Sequence, residues 1–273
     1  MYDDKMKNKP DDGWIETIQL EGRRAVLEVL KHNKPIDRLL IRKEADGVLT
    51  GTLKMIAAMA RENGVVVTTV EVSKLNSLAQ SGNHQGVIAL CPAKDYVEVG
   101  DILTIAEERG EPPFVVVLDG ITDPHNLGAI LRTAEAGGVH GVIIPKRRAV
   151  GLTGAVAKTS AGAIEHIQIA KVTNISRTLD ELKSLGLWVV CGAGVEVSSK
   201  QGSLLYNTDL SGAVALVIGA EGEGISRLAL SKADFIVNIP MLGKISSLNA
   251  SVAAGILIYE VVRSRLINKA HGH

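Results

Sequence analysis

One stretch constrains this chain more than any other. It runs from Phe235 to Arg265 and reads FIVNIPMLGKISSLNASVAAGILIYEVVRSR. Phe235–Ile239 is short, apolar and β-branched, the pattern of a buried strand, and Pro240 ends it. Met241–Asn249 is a polar loop in which Ser246, Ser247 or Asn249 can cap the following helix. That helix begins oddly. Val252–Tyr259, VAAGILIY, has no polar residue, so it is apolar all round and calls for burial on every side. Its own sheet can cover one side, and a partner subunit is the simplest cover for the other. A polar loop held between a buried strand and a buried helix is a rigid place for a small ligand.

The second half of the chain repeats this alternation of strand, loop and helix. FVVVLD at Phe114–Asp119 is a continuous apolar run, as in a central strand buried on both faces. Asp123-Pro124 reads as an N-cap with proline at the first helical position. In that helix Leu127, Ile130, Leu131 and Ala134 share a face, Arg132 points almost opposite, and Asn126 lies in the first turn. Val142–Ile144 is the next strand. The cations Lys146, Arg147 and Arg148 after it fit a phosphate grip or a solvated loop. GAVAKT near Thr153 lacks the spacing of a phosphate loop, which excludes a nucleoside triphosphate site. Leu187–Cys191 ends in Gly192-Ala193-Gly194, short of the third glycine of a dinucleotide fingerprint. Val214–Ile218 ends in the loop Gly219–Gly224, whose glycines permit close backbone approach to a ligand. The pattern predicts an α/β domain with a mostly parallel sheet and its ligand at the strand C-termini.

The first half reads as a smaller α/β unit over residues 14–90, after a charged tail at 1–13 and before a Pro-containing linker at 91–113; the large domain then occupies 114–273. Arg23, Arg24, Arg42 and Lys43 make the small unit locally positive, fitting phosphate contact or plain solvation. His84 lies in a turn dense in hydrogen-bonding groups. Lys+Arg and Asp+Glu are both 30, so the chain is no strongly basic nucleic-acid binder, and any RNA contact rests on local patches. Cys91 and Cys191, without a CxxC, suit a reducing compartment. No apolar run reaches transmembrane length and the first residues do not read as a signal peptide, so a cytoplasmic protein is expected. No His/Cys cluster suggests a metal.

Three stretches carry a resemblance. DGITDPHNLGAILR at Asp119–Arg132, VIGAEGEG at Val217–Gly224 and IPMLGKISSLNAS at Ile239–Ser251 resemble, in order and spacing, the three motifs of the SpoU/TrmH RNA 2′-O-ribose methyltransferases of the SPOUT superfamily. The small unit, with GRRAV at Gly22–Val26 and NHQGV at Asn83–Val87, is similar to that family's L30e-like substrate-binding domain. The two-domain form looks most like the bacterial 23S rRNA guanosine-2′-O-methyltransferases, although Arg24 stands where asparagine is often found. The resemblance implies a C-terminal trefoil knot, a homodimer, no metal, and S-adenosylmethionine bound in the knot. It implies cofactor contacts at Gly219, Ile239, Leu248, Ala193 and Met241. It implies catalytic roles for Arg132, Asn126, Glu221, Ser247 and Asn249, and RNA contacts at Arg23, Arg24, His84, Lys146, Arg147 and Arg148. The same chemistry on tRNA, or on an rRNA site conferring antibiotic resistance, fits these motifs too. A nicotinamide oxidoreductase lacks its full fingerprint, and a non-catalytic RNA-binding protein leaves the motif loops without a purpose.

Overall fold

The computed structural model describes residues 18–32, 34–43, 49–79, 83–92, 94–193, 202–244 and 246–270. The expected tail at 1–13, the start of the small unit at Trp14, part of the turn before His84 and Gly194 lie outside the described residues.

Residues 18–91 build a four-stranded sheet from β1 (Ile18–Glu21), β2 (Arg38–Arg42), β3 (Val66–Val70) and β4 (Val87–Cys91), in the order β1-β4-β2-β3. β2 and β3 are parallel, while β4 runs antiparallel to β1 and β2. Helices α1 (Arg23–Lys31), α2 (Gly51–Glu62) and α3 (Val72–Leu78) cover it. The period of two in β2 sorts its side chains: Leu39 and Ile41 join Val26, Leu30 and Ile56 in one core, and Leu40 joins Leu75 and Ile88 on the other face. The strand at 18–21 was not apparent from the sequence.

The stretch expected as a linker is folded. Its centre is α4 (Val99–Glu108), started by a capping box in which Glu98 and Asp101 satisfy each other's backbone amides. Its prolines, Pro92, Pro112 and Pro113, flank the helix rather than interrupt it. Ile102 and Ala106 are buried, and Ile102 fills the space left by the missing side chain of Gly141.

The large sheet contains β5 (Phe114–Asp119), β6 (Gly141–Pro145), β7 (Gln168–Val172), β8 (Trp188–Gly192), β9 (Gly202–Leu204), β10 (Val214–Gly219) and β11 (Phe235–Asn238), in the order β7-β6-β5-β10-β8-β11-β9. Every pairing between these strands is parallel. Phe114, Val116 and Leu118 face one core and Val115 and Val117 the other, as the run FVVVLD requires. The connecting helices are α5 (Pro124–Ala136), α6 (Gly154–Thr159), α7 (Ala163–His166), α8 (Ile175–Ser184) and α9 (Arg227–Leu230), and α10 (Ala250–Ala270) closes the fold. β10 and β11 each insert between strands laid down earlier. The segment 194–201 that joins β8 to β9 lies outside the described residues.

One expectation about the C-terminal stretch needs correction. Phe235 is not buried; it sits partly exposed at the strand end, edge-on to Trp188 with ring centroids 5.5 Å apart. Helix α10 is covered on one side only within this chain, the side that the expectation gave to its own sheet. Ala254, Leu257, Ile258 and Val261 pack inward, and Gly137 leaves room for Ile258. Val252, Tyr259 and Leu266, spaced seven apart on one stripe, remain 50%, 51% and 62% exposed. One chain supplies one sheet face, and that face is consumed by the inner stripe.

Helix α5 meets α6 without a gap. A Cβ on Gly128 would lie 2.6 Å from Thr159 Cβ and 2.9 Å from the Val156 carbonyl oxygen. Gly128→Ala is expected to lower stability by about 1–3 kcal/mol, the usual range for overpacking, as a shift of the urea midpoint without a change of slope.

Candidate active site

Parallel pairing brings the C-terminal ends of β5, β10, β8 and β11 to one edge, and the loops that leave them meet there. The loop after β5 is set first. Asp123 accepts from the amides of His125 (3.2 Å) and Asn126 (3.3 Å), starting α5 with Asn126 in its first turn. Asp119, the last residue of β5, accepts from the Ser226 amide at 2.9 Å and so anchors the end of the β10 loop. Within that loop Ala220 and Gly224 exchange both backbone hydrogen bonds, at 3.2 and 2.9 Å. A side chain at Gly219 would collide with the peptide joining Gly224 to Ile225, so only glycine closes this loop.

Glu221 projects from it and joins all three loops. Its Oε1 accepts from Asn126 Nδ2 at 3.0 Å, from the Ala250 amide at 3.1 Å and from Asn249 Nδ2 in a close contact. Asn249 Nδ2 also donates to Asn126 Oδ1 at 3.0 Å. Asn249 Oδ1 meanwhile accepts from the amides of Ser251 (3.0 Å) and Val252 (3.3 Å), which makes Asn249, and not Ser246 or Ser247, the cap of α10. Asn126 is 9% exposed, so its amide is locked rather than solvated.

The other residues expected here are placed around this knot of side chains. From Ile239 to Leu248 the described residues make no hydrogen bond to the rest of the chain, so their amides and carbonyls are available to a ligand. Ile239 packs partly against the core, whereas Met241 and Ser247 are exposed and Ser247 does not join the Glu221 cluster. Ala193 lies beside β11, its amide donating to Val237 O at 3.0 Å. Arg132 points into solvent on the outer face of α5, with no hydrogen bond or ion pair among the described residues. Cys191 is buried beneath the sheet edge near Asp119 and Asp234, and burial and those charges push its thiol up to about 12.

On the small unit the structure gives His84 to the fold. Its Nδ1 accepts from the Gly86 amide at 3.0 Å and its Nε2 donates to Asn76 Oδ1 at 2.8 Å, leaving no ring nitrogen for RNA. Arg23 is partly committed too, with Nε donating to Gln85 O at 3.1 Å. Arg24, Arg147 and Arg148 are exposed, and Lys146 lies against Gly64 of the small unit. Sequence reasoning missed a half-buried group between the two sheets, Asp37, Tyr96 and Lys171. Nothing local marks it, since the hydrogen bonds to Asp37 span 59 and 134 residues of sequence. Among the described residues no cluster of three or more His, Cys, Asp or Glu has the arrangement to hold a metal ion, and no helix is long and apolar enough to cross a membrane.

Residues 113–259 match the model of the SpoU rRNA methylase family, and residues 19–97 match that of the RNA 2′-O ribose methyltransferase substrate-binding domain. The putative TrmH family tRNA/rRNA methyltransferase YacO of Bacillus subtilis is 47% identical over 244 residues, covering 89% of this chain and 94% of that one. A putative TrmH family tRNA/rRNA methyltransferase of Staphylococcus aureus is 45% identical, covering 92% and 98%. Among solved structures, the SpoU methyltransferase AviRb of Streptomyces viridochromogenes, in complex with the cofactor AdoMet, shares the fold with a TM-score of 0.56 at 24% identity, over 92% of each chain. The chain belongs to the SpoU/TrmH family of RNA methyltransferases.

The Glu221 hub predicts its own loss. Glu221→Ala strands the Asn126 amide and the Ala250 N–H without their acceptor, and is expected to lower stability by about 1–3 kcal/mol in urea denaturation. Glu221→Gln, which keeps an acceptor oxygen in place, is expected to lose less.

Proposed function

We propose that this chain methylates a ribose 2′-hydroxyl of RNA, on a guanosine of large-subunit rRNA, with S-adenosylmethionine as methyl donor. The observation that carries the reading is the meeting of Asn126, Glu221 and Asn249, one from each of the three motif loops, at the C-terminal edge of the sheet. The rRNA assignment follows the family description; the tRNA reading stays open through relatives named as tRNA/rRNA enzymes.

When bound, S-adenosylmethionine supplies a methyl group already activated on a sulfonium. The residues present suit such a ligand. The main chain of 239–244 and 246–248, with Gly219 and the Ala193 carbonyl, offers amides and carbonyls able to read an adenine edge within the C-terminal trefoil knot that the family resemblance implies. What the protein must add is alignment, worth roughly 7–11 kcal/mol of a barrier, and help in removing the hydroxyl proton. Arg132 is the cation for the second task. A guanidinium stays protonated, so it stabilises the developing alkoxide or holds the adjacent phosphate rather than acting as a base. Asn126, fixed by Glu221 and Asn249, orients the ribose, and Ser247 lends its unpaired hydroxyl. A second copy packed on Val252, Tyr259 and Leu266 of α10 completes a homodimer and covers the apolar stripe that one chain leaves open.

The test is methyl transfer from labelled S-adenosylmethionine to rRNA and tRNA, with the modified sugar mapped. Arg132→Ala is expected to abolish transfer while cofactor affinity by calorimetry stays near wild type. Full turnover by the variant would remove Arg132 from the chemistry.

A further inference from the structure

Between the small unit and the large sheet lies a cavity of about 390 Å³. Its floor is the half-buried group Asp37, Tyr96 and Lys171. Tyr96 Oη donates to Asp37 Oδ1 at 2.6 Å, and the Lys171 ammonium binds the same oxygen while lying 4.7 Å from the centre of the Tyr96 ring. Burial and the neighbouring Asp37 carboxylate hold the Tyr96 phenol far above its ordinary value, so it stays a neutral donor. The remaining oxygen, Asp37 Oδ2, is turned away from solvent and packs against Gly151. Glu98, the other carboxylate of the lining, serves the capping box of α4. Asp37 Oδ2 has no hydrogen-bond partner there, and against these two carboxylates the lining sets three ammonium groups, Lys34, Lys146 and Lys171.

Lys34 enters from the small unit and Lys146 from the loop after β6, and neither ammonium group makes a hydrogen bond or ion pair among the described residues. Lys146 reaches across to the other wall, its Nζ 3.3 Å from where a Cβ of Gly64 would stand. Two ammonium groups from different walls repel each other unless an anion lies between them. The cavity also points toward the chemistry. The loop holding Lys146 leaves the same sheet edge as the candidate active site. It is tied to the β5 loop by the Val150 amide, 3.0 Å from Ile121 O, and to the cavity floor by the Leu152 amide, 3.2 Å from Tyr96 Oη.

We propose that this cavity is a binding site for the RNA phosphodiester backbone, with Lys34 and Lys146 as its paired cations and the Asp37–Tyr96–Lys171 group as the brace that fixes its width. The assignment rests on the reading of the chain as an RNA methyltransferase. It adds a site between the two units, where the backbone passes from the small unit to the motif loops.

The test is the salt dependence of binding of the full chain to large-subunit rRNA, with methyl transfer measured in parallel. Lys34→Ala with Lys146→Ala is expected to weaken binding and to make the slope of log K against log salt shallower by about 1.4–1.8, the value for two lost phosphate contacts. Lys34→Arg with Lys146→Arg is expected to keep the wild-type slope. An unchanged slope in the alanine variant overturns the proposal, including the case where affinity falls at constant slope, which marks Lys146 as a tether between the units. If the slope changes as expected but the wild-type protein methylates no RNA, the phosphate site stands and the catalytic reading falls.

Discussion

A single carboxylate oxygen holds the site together. Glu221 Oε1 receives hydrogen bonds from Asn126, Asn249 and the Ala250 amide, and through them the ends of α5, the β10 loop and α10 meet. Hydrogen bonds to an ionised acceptor are roughly twice as strong as neutral ones, and one donor here is a nearly buried amide with no water to replace its partner. The arrangement presupposes the sheet. Parallel pairing delivers β5 and β10 in register to Asp119 and Gly219, so their loops leave side by side. It presupposes Gly219 as well, since any side chain there would prevent the loop from folding back to present Glu221. The Asn249 side chain caps α10 with its oxygen and joins the hub with its nitrogen, so the helix and the site are fixed by the same residue.

The consequence is a division between rigid and open parts. The side chains of the hub are fully engaged, whereas the described residues from Ile239 to Leu248 make no hydrogen bond and Leu242 is 98% exposed. A loop with free main-chain groups, pinned at both ends by a strand and a capped helix, can close on a ligand without disturbing either anchor. With no net charge to attract a polyanion, the proposed RNA contacts rest on local cations, Arg24, Arg147 and Arg148 on the surface and Lys34 and Lys146 between the two units.

The sequence was legible where structure is local. The run FVVVLD, the Asp123-Pro124 helix start and the glycines after β10 have meanings that follow from neighbouring residues, and each element lies where the pattern puts it. The three residues of the hub were named singly from their motifs. Their mutual bonds span 95 and 123 residues, and only the motif resemblance could suggest them, because no periodicity encodes which loops share an edge. The linker was misread for a related reason: flanking prolines and a charged run resemble a spacer until Ile102 is seen filling the hollow at Gly141. The resemblance implied an RNA contact at His84, yet the Gly86 amide and the Asn76 side chain of α3 engage both of its nitrogens. The Asp37, Tyr96 and Lys171 group left no trace in the sequence at all.

The account's central claim is that main-chain groups of three loops at one sheet edge grip the methyl donor. Amide hydrogen exchange with and without S-adenosylmethionine tests it directly. Added protection at Gly219–Gly224 and across 239–249, with the four-stranded sheet unchanged, is the predicted result. Protection confined to other segments, or none in these loops at saturating cofactor, would contradict it.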